Sequence, residues 1–139
     1  MKKYSVGLFL TLLIPSFAMA QWVEFYKSDN ETSFFLESKT TLTKDNFVFS
    51  GILTNHSQPQ SIKNEKGALT NYQSVSSTFM YNCQSKQYAI VDSIYYSNAN
   101  AKGASFSLAP EAPNKVKWLT PKKDHLSQNL SGKIKSLCK

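Results

Sequence analysis

Two cysteines, Cys83 and Cys138, constrain this 139-residue chain more than any other feature. Cys83 falls inside SVSSTFMYNCQSKQYAIVDSIYYS, residues 74–97, which reads as two strands joined by a short polar turn. Cys138 lies beside the C-terminus, at the end of an amphipathic pattern. Leu126, Leu130, Ile134, Leu137 and Cys138 recur at steps of four, four, three and one, a stripe along one helical face. Asp124 suits the N-cap, with Thr120-Pro121 as an earlier alternative start. Lys133, Lys135 and Lys139 suit the negative end of the helix dipole. Gly132 costs such a helix about 1 kcal/mol against alanine, so it needs tertiary support. A Cys83–Cys138 disulfide supplies it by strapping the helix across the hairpin. That bond closes a loop of about 55 residues, worth roughly 4 kcal/mol by chain entropy. It requires the two Cα atoms to lie within about 7 Å. Other uses of two cysteines fare worse. A redox pair normally reads C-x-x-C, which is absent. His56 and His125 stand at no ligand spacing, so no metal, haem or other cofactor is expected.

Alternation places Val75, Ser77, Phe79, Tyr81 and Cys83 on one face of the first hairpin strand. With Ser85 and Lys86 as a two-residue turn, Cys83 opposes Tyr88, Tyr81 opposes Ile90, Phe79 opposes Asp92 and Val75 opposes Tyr96. This register gathers aromatic side chains. Its misfit is Asp92, which a bulge or a neighbouring lysine relieves. A one-residue change in the turn reverses the faces of the second strand, and the sequence leaves that open.

Residues 1–20 read as a secretory signal. Lys2 and Lys3 give the positive end, Val6 to Ile14 an apolar core too short to span a bilayer, and Ala18-Met19-Ala20 a cleavage site. Cleavage leaves Gln21 first and one domain, residues 21–139. No cysteine follows the cut, so no lipid anchor is expected, and no later apolar run is long enough for a transmembrane segment. The cell envelope beyond the inner membrane, as periplasm, surface or secreted fraction, is the expected location. All sixteen basic residues are lysine, against nine acids. Losing the two leader lysines lowers the formal +7 to about +5. Without arginine, the planar and bidentate recognition of phosphate is missing, so nucleic acid is not an expected partner.

Along the mature chain, Trp22–Lys27 and Ser33–Glu37 read as strands flanking the turn Ser28-Asp29-Asn30. A short strand is expected at Thr41–Thr43. Asn46–Thr54 is apolar on both faces and is the candidate for the most buried strand, with Gly51 marking a bulge or close contact. Asn55–Asn71 reads as a long polar loop, functional or mobile. Ser97–Gly103 is a turn, Ala104–Leu108 an edge strand, Ala109–Asn114 an extended loop and Lys115–Leu119 a last strand or extended segment. The expected fold is α+β: a mostly antiparallel sheet of about six strands with one C-terminal helix packed on it, stapled by the disulfide. One helix covers one face, which leaves the other to be covered by curling of the sheet or by a second copy.

Tyr72-Gln73-Ser74-Val75, Tyr81-Asn82-Cys83, Tyr88, Gly103, Leu119-Thr120-Pro121 and Leu137-Cys138, in that order, resemble the surface-adhesin protein E family of Gram-negative bacteria. The resemblance implies an antiparallel sheet with a C-terminal helix, a disulfide, homodimers and no enzymatic activity. It also implies a protein partner, since the best-known members bind host extracellular matrix proteins such as vitronectin and laminin at the outer membrane. Two departures stand out. Those members carry a lipid-attachment cysteine. They also use basic residues just before the first cysteine, where Tyr72–Asn82 here holds no lysine and only Lys63 and Lys66 stand nearby.

The residues themselves point away from catalysis: there is no G-x-S-x-G, no metal-ligand cluster and no glycine-rich phosphate loop. Asp92 is the one carboxylate on a core-facing register, and a structural acid is the better account of it. Seven lysines against Asp124 alone in the last 25 residues make the tail the basic part of the chain. Such asymmetry attracts acidic partners or lipid head groups at long range, although a solvated helix face looks the same in sequence. Candidate binding residues are therefore Lys63, Lys66, Tyr72, Lys115, Lys117, Lys122 and Lys123. Tyr95 and Tyr96 are alternative contacts, with packing their commoner role. The competing reading is a periplasmic protein-binding or immunity-type module without adhesion.

Overall fold

In a computed structural model, the structure describes residues 22–39, 41–42, 45–108, 115–136 and 138. The expected secretory signal, Leu137 and Lys139 lie outside them, as do Thr43 and the loop at 109–114. Seven strands form one antiparallel sheet: β1 (Trp22–Lys27), β2 (Ser33–Glu37), β3 (Thr41–Leu42), β4 (Phe47–Lys63), β5 (Leu69–Asn82), β6 (Gln87–Asn98) and β7 (Lys102–Ser107). Their spatial order is β1-β2-β4-β5-β6-β7, with β3 paired to the start of β4. One helix, α1 (His125–Lys135), follows.

The disulfide is present, with Cα atoms 5.6 Å apart. It ties Cys138, three residues past the end of α1 and so outside the helix that the stripe suggested, to the loop after β5. Val48, Phe79, Tyr81 and Ile134 form the buried core between helix and sheet, with Ile52, Tyr88, Leu130 and both cysteines packed around it. Phe79 stacks on Tyr88 with centroids 5.4 Å apart. Ile134 and Leu130 confirm the apolar stripe of the helix, and Gly132 faces open space. The N-cap is Asp124, as the sequence suggests: its carboxylate accepts from Ser127 N–H at 2.7 Å and from Ser127 Oγ at 3.1 Å. On the sheet face away from the helix, Leu53 and Ala89 are also buried, so that face is not bare.

The hairpin departs from its expected register, and Asn82 is the cause. Its Oδ1 accepts from Gln84 N–H and Ser85 N–H, and its carbonyl accepts from Lys86 N–H. An asparagine side chain that bonds the backbone two residues on makes a turn of its own. The connection is therefore residues 83–86, with Lys86 at φ 60°, rather than a two-residue turn. Tyr81 consequently faces Tyr88 and Phe79 faces Ile90. The shift is two residues, so the faces survive. A bulge at Val91 then offsets the rest by one, pairing Thr78 with Asp92 and Val75 with Tyr95. Asp92 ends exposed and caps its neighbour, accepting from Ser93 N–H. The bulge thus relieves the misfit that the sequence exposes.

The larger correction concerns Asn55–Asn71, which is not a loop. β4 runs on to Lys63, β5 begins at Leu69, and the two pair as an arm, with Gln60 opposite Tyr72 and Lys63 opposite Leu69. Only residues 64–68 turn. There Asn64 Oδ1 accepts from Lys66 N–H and Ala68 N–H, and Gly67 takes φ 77°. Beyond Asn55 and Ser74 the arm holds no fully buried side chain and shows little apolar alternation, so its sequence looks like a loop. Pro59, which cannot donate to a ladder, falls in the irregular stretch between Asn55 and Gln60. At the arm's root, Asn55 exchanges hydrogen bonds with Asn100 at 2.7 and 2.8 Å, while buried Ser74 donates to Asn98 O and accepts from Ala101 N–H. Smaller shifts occur elsewhere. The edge strand starts at Lys102, and Lys115–Leu119 contributes only a bridge, Leu119 to Tyr88, with backbone bonds of 2.8 and 2.9 Å.

Candidate functional site

The candidate residues fall into separate places. Lys63 and Lys66 are exposed at the tip of the arm. Lys115 and Lys117 are exposed and alternate with half-buried Val116 and Trp118. Trp118 anchors this segment by stacking on Phe47, 5.9 Å between centroids. Lys122 and Lys123 are exposed just before the helix. With Val116 and Trp118 half-buried and Leu119 bridged to Tyr88, both lysines of this segment are left exposed. Phe47 and Tyr88 stand at the Asn82 end of the β4–β6 sheet, whereas Lys63 stands at the Leu69 end. Thirteen residues of β5 separate those ends, about 40 Å of strand. The structure therefore gathers Lys115, Lys117, Lys122 and Lys123 along one short segment and leaves Lys63 and Lys66 far from them.

Tyr72 joins neither group. It is half-buried, with His56 and Tyr95 both edge-on to its ring at 5.6 and 5.0 Å, and Phe106 stacks on Tyr95 at 5.2 Å. Burial pushes the His56 imidazole below its ordinary pKa and the Tyr95 phenol above its own. Near the basic segment, Asp124 is held below the usual carboxylate value, chiefly by the Ser127 N–H bond, with the Ser127 hydroxyl and Lys122 adding to it. Burial, and secondly the Asp124 charge, raises Tyr88.

Two concavities carry no sequence motif. One, about 170 Å3, lies between α1 and the sheet and is lined mainly by Phe25, Phe34, Ile52, Phe79, Ile90 and Leu130. The other, about 310 Å3 and open, includes Trp22, Glu37, Lys39, Phe49, Ser76 and Thr78. Its residues come from β1, β2, β4, β5 and the segment after β2. The one local hint is Gly51, where an added Cβ would sit 2.8 Å from Glu37 Oε2 and 3.0 Å from Trp22 Cη2. Among the described residues, no three His, Cys, Asp or Glu side chains gather where a metal could sit, and no helix is long and apolar enough to cross a membrane.

Fold and surface define a disulfide-clasped domain of one antiparallel sheet and one helix, with a basic C-terminal segment. The sequence pattern of surface-adhesin protein E matches residues 22–138, and the chain belongs to that family. Crystal form II of Haemophilus influenzae protein E is similar at 16% identity and TM-score 0.63, over 89% of this chain and 94% of that one. A further structure of Haemophilus influenzae protein E gives 15% and 0.61, over 89% and 90%. Protein E from non-typeable Haemophilus influenzae gives 15% and 0.60, over 88% and 80%. No curated protein sequence matches. The family points to an exported or surface protein with protein partners and to a role other than catalysis.

Proposed function

We propose that this chain is an exported, non-enzymatic attachment protein that binds host extracellular matrix protein through its basic C-terminal segment. The observation that carries the reading is the family match across the whole described domain, joined to a fold shared with protein E. Residues 1–20 act as its export signal, and the protein works at or beyond the outer membrane as a homodimer. Lys115, Lys117, Lys122 and Lys123 make the principal contact. Lys63 and Lys66 form a second, remote contact reachable only by an extended partner. Tyr72 supports the root of the arm.

Binding of the mature chain to immobilised vitronectin and laminin at several salt concentrations tests this. Saturable binding that weakens steeply with salt is expected, because exposed charges are screened beyond about 8 Å at physiological ionic strength. No binding at low salt overturns the reading in favour of an envelope-internal partner.

A further inference from the structure

The open groove on the sheet face away from α1 has the chemistry of a ligand site. Trp22 and Glu37 converge over Gly51, whose missing side chain lets the indole and the carboxylate approach the strand. The φ of Gly51 is ordinary, so glycine serves here for space and not for backbone freedom. Trp22, Glu37 and Phe49 are half-buried, while Lys39 and Thr78 are exposed. Among the described residues, neither the Glu37 carboxylate nor the Trp22 N–H has a hydrogen-bond or ion-pair partner. A carboxylate without a partner beside an indole, hydroxyls and an ammonium, all lining one concavity, is more than strand packing requires.

We propose that this groove binds a neutral pyranose, such as the terminal hexose of a glycan. A pyranose presents an apolar C–H face and a rim of hydroxyls. Trp22 and Phe49 match the first. The Glu37 oxygens accept from two hydroxyls, Lys39 donates, and Ser76 and Thr78 do either. Glu37 and Lys39 offset each other in charge, which favours a neutral sugar over an anionic or cationic one. The volume of about 310 Å3 lies at the small end of ligand sites, about 300–1,000 Å3, and suits one ring. The cavity beneath α1 is smaller and mainly apolar, with the hydroxyl residues Thr54, Ser77, Tyr88 and Ser127 in its lining but no charged group.

The test uses the mature, disulfide-bonded chain with methyl glycosides of glucose, galactose and mannose, read by saturation-transfer NMR. Saturable binding of at least one of them is expected, with Kd on the order of millimolar. Glu37→Gln and Trp22→Leu should each weaken it about tenfold or more. Lys135→Gln, exposed on the helix across the sheet from the groove, should leave it unchanged, with circular dichroism of all variants alike. If Trp22→Leu does not fold, Glu37→Gln carries the test alone. The proposal is overturned if no hexoside saturates up to roughly 100 mM, if Glu37→Gln binds as well as the parent, or if only sulfated or carboxylated sugars bind. None of these outcomes bears on binding of matrix protein, which is measured separately.

Discussion

Asp124 shows how one side chain sets the entry to the only helix among the described residues. Its carboxylate satisfies the Ser127 N–H, and this bond holds its pKa below the ordinary 3.8. A folded-state pKa below the unfolded one means that the contribution is complete above 3.8 and is lost as pH falls through the lower, folded value. Helical circular dichroism should therefore drop as pH is lowered below about 4. Asp124→Asn, which caps without titrating, should flatten this dependence. His56 follows the same direction by another cause: burial lowers its pKa beneath 6.5, so its neutral packing on Tyr72 costs stability as pH falls below that value. Phe79 is 1% exposed and joins helix to sheet. Phe79→Ala should cost about 3–5 kcal/mol in urea unfolding.

Elements divide into those held by the core and those that stand free. α1 is short and carries Gly132, so it depends on Ile134, Leu130 and the Cys83–Cys138 bond. Reduction should lower stability by about 4 kcal/mol, with helical signal lost before strand signal on heating. The arm beyond Asn55 and Ser74 holds no buried side chain. Replacing residues 61–71 by an Asn-Gly turn should therefore lower Tm far less than reduction does. The same variant removes Lys63 and Lys66, which separates their part in binding from that of the tail.

The charge of the whole molecule is unevenly spread, and distance decides what that can do. Some 40 Å of strand separates the two lysine groups, several screening lengths in physiological salt. They cannot act as one patch on a small partner. Exchanging Lys115, Lys117, Lys122 and Lys123 for glutamine should reduce matrix-protein binding several-fold and flatten its salt dependence. Lys63→Gln with Lys66→Gln should have a smaller effect. Surface plasmon resonance over a salt series distinguishes the two.

Local pattern was enough for β1 and β2, whose bounds match the aromatic runs, and for α1, whose cap and stripe are written in consecutive turns. Chain chemistry alone also favoured the clasp, since a weak helix followed by a cysteine needs something to hold it. The arm was hidden because strands with no fully buried side chain carry little apolar alternation. The hairpin register was hidden because an asparagine side chain, and not the strand pattern, sets the length of its loop. The groove over Gly51 was hidden for a third reason. Trp22, Glu37 and Ser76 are distant in sequence and become neighbours only when β1, β2, β4 and β5 pair, so it exists only at the tertiary level. Short-range periodicity determines which segments are strand or helix; long-range pairing decides which side chains share a surface.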